Sequence, residues 1–168
     1  MRNVGLERLL AVNLFGTLTQ TFLPVLAHSR SAIVNVLSLA SLAAVPFDSL
    51  YSISKAVAFS LSQSLRALLA GRGVSVHIVL PGPIDSDMTR NLDIPKASAE
   101  SAARAILDGV ERGDEEIFPD PMSGTIAEGW RSSAVKALER QFCRVCPGNA
   151  CRPCRASSTS WLRRSGIA

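Results

Sequence analysis

Val74-Ser75-Val76-His77-Ile78-Val79-Leu80, followed directly by Pro81-Gly82-Pro83, is the stretch that decides the fold. Short, rich in β-branched residues and largely apolar, it has the composition of a strand buried on both faces, as in a parallel sheet. Pro81-Gly82 stops it. Upstream, Ser49 to Ala70 reads as a long helix closed by Gly71-Arg72-Gly73. Ala32 to Leu37 is a second buried strand, and Ser38 to Asp48 a loop in which Pro46 blocks regular structure. Asn3 to Ala27 has helical spacing through Leu6, Leu9, Leu10, Leu14 and Leu18. Downstream, Ser98 to Arg112 reads as a helix with Ser98 as N-cap, Glu116 to Phe118 as a short third strand, and Gly124 to Phe142 as one helix. Alternating strands and helices call for an α/β fold with a parallel sheet and right-handed crossovers.

That order puts Ser38 and Pro81-Gly82 at carboxyl ends of strands, where open α/β sheets bind ligands. Between them lies Tyr51-Ser52-Ile53-Ser54-Lys55, thirteen positions after Ser38 and thirty before Pro81. On a helix, Tyr51 and Lys55 project from one face. An ammonium beside a phenol favours the phenolate, lowering a pKa that is about 10 in isolation. Such a phenol is a usable acid/base.

The combined order resembles the short-chain dehydrogenase/reductase family over roughly Gly5 to Phe142. It comprises Asn-x-x-Gly at Asn13 to Gly16, a serine after an apolar strand, Tyr-x-x-Ser-Lys, then Pro-Gly-Pro-Ile. The resemblance implies an NAD(P)-dependent oxidoreductase acting on a small-molecule alcohol or carbonyl, built on a partial Rossmann-like doubly wound parallel sheet with flanking helices. It makes Tyr51 the acid/base, with Lys55 holding the nicotinamide ribose and tuning Tyr51. Ser38 is the hydrogen-bonding partner of the substrate oxygen, and Asn13 the support of a relay water. Pro81, Gly82, Ile84 and Ser86 border the cofactor, NAD or NADP, and Asp85 to Lys96 form the substrate lid. In the full-length family form it also implies a homo-oligomer, through helices resembling Asn3–Ala27 and Ser49–Ala70. Leu37 stands where the family commonly has serine, Ser41 where it has glycine, and Ser86 where it has threonine. No catalytic group is lost by these changes.

Each residue also has a plainer reading. Tyr51 and Lys55 can be surface residues of an amphipathic helix, Ser38 can satisfy a loop amide, and Asn13 can pack between helices. His77 reads as a packed histidine rather than a ligand, and His28 as a complement to a helix terminus.

The glycine-rich turn whose amides bind a dinucleotide pyrophosphate is missing, since no Gly-x-x-x-Gly-x-Gly or Gly-x-Gly-x-x-Gly occurs. The residue that reads the adenosine ribose, and with it the choice between NAD and NADP, is missing too. The chain resembles the second half of a dinucleotide-binding domain, through a misassigned start or a truncated gene. The expected organisation is a partial domain over 1–142 and a disordered Cys/Arg-rich tail over 143–168.

Composition agrees. The chain has 168 residues with 47% apolar residues, ample for one core. It lacks an apolar run of about eighteen residues, and its start has no clean signal-peptide core, so the expectation is cytoplasmic with no membrane partner. The net charge of +4 is unevenly placed: residues 1–139 hold 12 Lys/Arg against 14 Asp/Glu, and residues 140–168 hold six arginines and no acid. All four cysteines, Cys143, Cys146, Cys151 and Cys154, lie in that tail. Two Cys-x-x-Cys pairs suggest zinc, but four residues separate them where a zinc ribbon has roughly 15–20. No metal and no nucleic-acid partner are therefore expected. A catalytically inactive fragment that keeps only an assembly surface is the alternative to the enzyme.

Overall fold

The computed structural model describes Leu26 and residues 31–145, apart from the side chains of Ala70 and residues 143–145. Asn13, the Asn3–Ala27 helix, His28 and the tail beyond Val145 lie outside the described residues.

Strand β1 (Ala32–Val36) is followed by a 3-10 turn (Leu39–Ser41) and helix α1 (Ser49–Leu69). A second 3-10 turn (Ala70–Arg72) ends at Gly73, whose φ of 76° is the left-handed conformation expected of the Gly-Arg-Gly stop. Strand β2 (Ser75–Val79) leads through a long loop to α2 (Ala99–Arg112), β3 (Glu116–Ile117), α3 (Pro121–Arg131) and α4 (Ala134–Val145). As the sequence predicts, Ser98 caps α2, its side chain accepting from the Ser101 amide.

The three strands form a parallel sheet in the order β1-β2-β3. The register assigns the faces. Ile33, Asn35, Val76, Ile78 and Glu116 share one face, and α1 covers it. Leu37, Ile78 and Leu80 pack there on Ala58 and Phe59, and Ile33, Val74 and Val76 pack with Leu69. Asn35 Nδ2 also donates to Ser62 Oγ at 2.8 Å. Ile117 is in register with Val79 on the opposite face, and α2 packs there. A Cβ at Gly109 of α2 would lie 2.8–2.9 Å from three Ile117 side-chain carbons, so only glycine permits this approach.

Two expectations change. Helices on opposite faces of strands that progress in one direction cannot both make right-handed crossovers, so the α1 and α2 connections have opposite hands. The right-handed preference is strong but not absolute, holding in about 98% of such connections. The β2–β3 connection contains a long loop and ends on a two-residue strand. The single helix expected over Gly124–Phe142 is two helices. Asp120 caps the first, with Pro121 at its first turn. At the break, the Ser132 amide donates to the Glu128 carbonyl at 3.1 Å and the Ser133 amide to the Trp130 carbonyl at 3.0 Å, closing α3, while Ser133 Oγ accepts from the Lys136 amide.

Behind the sheet, α4 is fastened to α1 and β3 by a charged cluster. Arg66 Nη1 lies 2.8 Å from both Glu116 Oε1 and Glu139 Oε1. Lys136 Nζ lies 2.7 Å from Glu115, 2.8 Å from Glu116 and 2.9 Å from Glu139. Lys136 is 2% exposed, so its charge depends on these carboxylates.

Candidate active site

The site is assembled where β1 and β2 end. The Leu37 amide donates to the Val79 carbonyl at 2.9 Å and the Leu39 amide to the Pro81 carbonyl at 3.0 Å, tying the segment around Ser38 to the Pro-Gly turn. Ser38 caps the 3-10 turn, its Oγ accepting from the Ala40 amide at 3.1 Å. Its hydroxyl proton has no acceptor among the described residues, so it remains free to donate. Nearby, Ser41 Oγ is buried without a partner among the described residues.

Tyr51 lies in the first turn of α1, and that turn is firmly held. Asp48 Oδ1 accepts from the Tyr51 amide at 3.3 Å. Buried Ser52 bridges the loop to the helix: its Oγ accepts from the Val45 amide at 2.9 Å and donates to the Asp48 carbonyl at 3.0 Å. Ser54, fully buried, donates to the Tyr51 carbonyl at 2.7 Å. The phenol is half-buried, and its oxygen has no hydrogen bond among the described residues.

One turn later, Lys55 Nζ stands 5.6 Å from the Tyr51 ring centroid, within cation–π range. It donates to the Val36 carbonyl at 3.4 Å, which fixes it over the end of β1. An ammonium has three protons, and this is its one hydrogen bond among the described residues. Burial pulls the Lys55 pKa below its ordinary value. Tyr51 and Lys55 are thus brought together beside the strand end that leads into Ser38.

Across the turn, Pro81, Gly82 and Ile84 are half-buried. The Gly82 amide donates to Asp120 Oδ2 at 2.7 Å. The Asp85 amide donates to Ala97 O at 2.8 Å and the Ala97 amide to Pro83 O at 3.1 Å, with Ile84 and Ala97 bridged in parallel. The expected lid, Asp85 to Lys96, is therefore a loop closed at its base. Ser86 lies inside it and is exposed, 3.3 Å from Thr89 Oγ1, while Thr89 Oγ1 donates to the Ile84 carbonyl. The Ile84 amide donates to no group among the described residues.

These residues fit the nicotinamide–ribose end of a dinucleotide: an ammonium with spare protons, a free amide at Ile84 and a free hydroxyl at Ser38. The sequence has no Gly-x-x-x-Gly-x-Gly or Gly-x-Gly-x-x-Gly turn for the pyrophosphate end. His77 is a packed residue, its Nδ1 2.7 Å from the Asp114 carbonyl, with 4% of its surface exposed. Asp120, which holds Gly82, is a residue the sequence reading missed. The Asp-Pro pair before a helical run is the signal that marks it. Among the described residues, no three His, Cys, Asp or Glu side chains converge as a metal site, and no helix is long and apolar enough to cross a membrane.

Comparison with known proteins places the chain among relatives. A family model described as short chain dehydrogenase matches residues 1–97. The inactive 2-(S)-hydroxypropyl-CoM dehydrogenase 2 of Xanthobacter autotrophicus is 35% identical over 103 residues, which cover 59% of this chain and 45% of that protein. The 2-(R)-hydroxypropyl-CoM dehydrogenase of the same bacterium is 35% identical over 102 residues, 58% of this chain and 41% of that protein. A solved short chain dehydrogenase from Burkholderia cenocepacia, in complex with NADP, superposes with a TM-score of 0.68 at 38% identity, covering 82% of this chain and 58% of that one. The chain spans less than half the length of these two curated relatives.

Proposed function

The chain belongs to the short chain dehydrogenase family, and from that premise we propose that it carries the catalytic half of an NAD(P)-dependent oxidoreductase. The reaction interconverts a carbonyl and an alcohol. The observation that carries this reading is the Tyr51–Lys55 pair, held over the end of β1 with an uncommitted phenol.

In reduction, Tyr51 donates its phenolic proton to the substrate oxygen, and in oxidation the phenolate takes that proton back. The Lys55 ammonium favours the phenolate electrostatically and keeps protons free for ribose hydroxyls. Ser38, its oxygen already oriented by the Ala40 amide, donates its proton to the substrate oxygen and holds it near the phenol. Asn13 supports the relay water. The Pro81–Ile84 turn, with Ser86 beyond it, would wall the nicotinamide end of the cofactor. When bound, the dinucleotide supplies or accepts the hydride.

The experiment joins residues 1–168 to a glycine-rich strand–turn–helix half taken from a relative and assays ketone reduction with NADH and NADPH. Turnover that disappears in Tyr51→Phe supports the reading. Turnover unchanged in that variant, or none in the joined protein, refutes it. The pair of similar relatives, one named inactive and one not, gives the inactive alternative its weight.

A further inference from the structure

Pro81-Gly82-Pro83 has a single backbone N–H, because proline carries none. That one donor, the Gly82 amide, is taken by Asp120 Oδ2 at 2.7 Å, across 38 residues of sequence. Asp120 is 7% exposed and is filled on every side. Its Oδ2 also accepts from Ser123 Oγ at 2.7 Å, and its Oδ1 from the Ser123 amide at 3.0 Å. The approach is tight enough that a Cβ at Gly82 would lie 2.8 Å from Asp120 Oδ1 and 3.2 Å from Met122 Sδ.

Capping α3 requires one acceptor, which serine, threonine or asparagine supplies as well. Accepting three donors on two oxygens requires a carboxylate, since asparagine has one carbonyl oxygen and would turn an NH2 group toward a donor. The Gly82 bond is therefore an addition to the cap, and it is charge-assisted. It ties the start of α3 to the turn that carries the Ile84 amide, the donor left without a partner among the described residues.

We propose that Asp120 is a positioning residue for the cofactor wall. Its carboxylate fixes the Gly82 amide and, through it, the direction of the Ile84 amide that meets the nicotinamide end of the cofactor. This rests on the dehydrogenase reading, and it makes α3 part of the site.

The test uses the 168-residue chain and two variants. Asp120→Asn disrupts the bond to Gly82, whereas Ser123→Ala weakens the cap and leaves that bond. Hydrogen exchange by mass spectrometry on a peptide spanning Leu80–Ile84 reads the Gly82 amide, with the Ile78 amide as reference for global opening. Asp120→Asn is expected to accelerate Gly82 exchange about tenfold or more relative to Ile78, and Ser123→Ala to leave that ratio unchanged. No relative acceleration in Asp120→Asn, or the same acceleration in Ser123→Ala, overturns the proposal.

A second arm measures binding of nicotinamide mononucleotide by equilibrium dialysis. Asp120→Asn is expected to weaken it about tenfold, with Ser123→Ala within about twofold of wild type. Equal binding by wild type and Asp120→Asn overturns the positioning role. A wild-type chain that binds no mononucleotide overturns the dehydrogenase reading itself, while the exchange arm still decides whether Asp120 anchors Gly82.

Discussion

The Lys55 ammonium stands 5.6 Å from the centre of the Tyr51 ring, while its hydrogen bond to the Val36 carbonyl ties it to the end of β1. The pair is thus one unit with the strand end, and the phenol oxygen is the part left uncommitted. Tyr51→Phe keeps the ring and removes the acid. In the joined protein described above, kcat is expected to fall about 10²–10⁴-fold. The thermal midpoint should stay within about a degree, because the lost hydroxyl has no partner among the described residues. Steady-state kinetics and a melting curve on the same preparation check both halves of the statement.

Lys55→Met tests the electrostatic half. Removing the cation withdraws both the charge beside the phenol and the protons offered to the ribose. In the joined protein kcat/KM should fall about 10²-fold or more. Stability should not fall as it would for a paired buried cation, because burial already pulls the Lys55 pKa down and so penalises its charged form. A kcat/KM unchanged in Lys55→Met would show that the ammonium serves neither Tyr51 nor the cofactor.

The cluster behind the sheet predicts a pH window for stability. Burial pushes the Glu115 carboxyl up, but its hydrogen bond to Lys136 and the charges of Lys136, Arg66 and Arg140 outweigh this and hold it below 4.5. Burial likewise pushes Lys136 down, yet the charge of Glu116 and hydrogen bonds to Glu115 and Glu116 raise it above 10.5. A depressed carboxyl contributes stability that is present above its ordinary value of 4.5 and lost as pH falls through the folded one. A raised lysine contributes stability present below 10.5 and lost as pH rises through its folded value. Urea unfolding should therefore show the acid loss beginning near pH 4.5, with a shallower limb in Glu115→Gln. Lys136→Ala leaves three carboxylates to Arg66, with Arg140 acting on Glu115, a loss of about 3–5 kcal/mol at neutral pH.

Much of this was legible in the chain. The strands at Ala32 and Ser75, the long helix and the Ser98 cap follow from short-range signals: an apolar run, a glycine stop, a hydroxyl before a helix. The break at Ser132-Ser133 was not legible, because two serines inside an otherwise helical pattern carry no strong stop. What breaks the helix is a pair of hydrogen bonds, together with the pull of Glu116 and Arg66 on Lys136 and Glu139. Arg66, read from sequence, is a polar residue near the end of a helix, and its burial depends on acids 49 to 73 positions away. The role of Asp120 is hidden for the same reason. The local Asp-Pro signal gives the cap, whereas the Gly82 bond exists only in three dimensions.

Gly109 offers a test of the α2 packing that gives the two crossovers opposite hands. Gly109→Ala places a Cβ 2.8 Å from Ile117 Cγ1, inside the closest approach of real side chains. Alanine would otherwise favour the helix by about 1 kcal/mol, but forcing a methyl into a filled contact costs about 1–3 kcal/mol. The net expectation is destabilisation, relieved by adding Ile117→Ala. A double-mutant cycle with a coupling energy near zero would place α2 elsewhere.

The last prediction concerns the 168 residues by themselves: weak dinucleotide binding and self-association. The sequence supplies no glycine-rich turn, so a pyrophosphate finds no amide cradle, and only contacts at the nicotinamide end remain. Among the described residues, β1 pairs on one side only, with β2. Val34 and Val36, on the face opposite α1, are 39% and 56% exposed. An apolar strand with a free edge is a template for a second chain, and three strands give little core to resist opening. Calorimetric titration with NADH and NADPH, together with sedimentation over a range of protein concentrations, checks both claims. A monodisperse monomer that binds either dinucleotide with a Kd near about 1 μM would mean that the pyrophosphate is held by groups outside the described residues and that β1 is already covered.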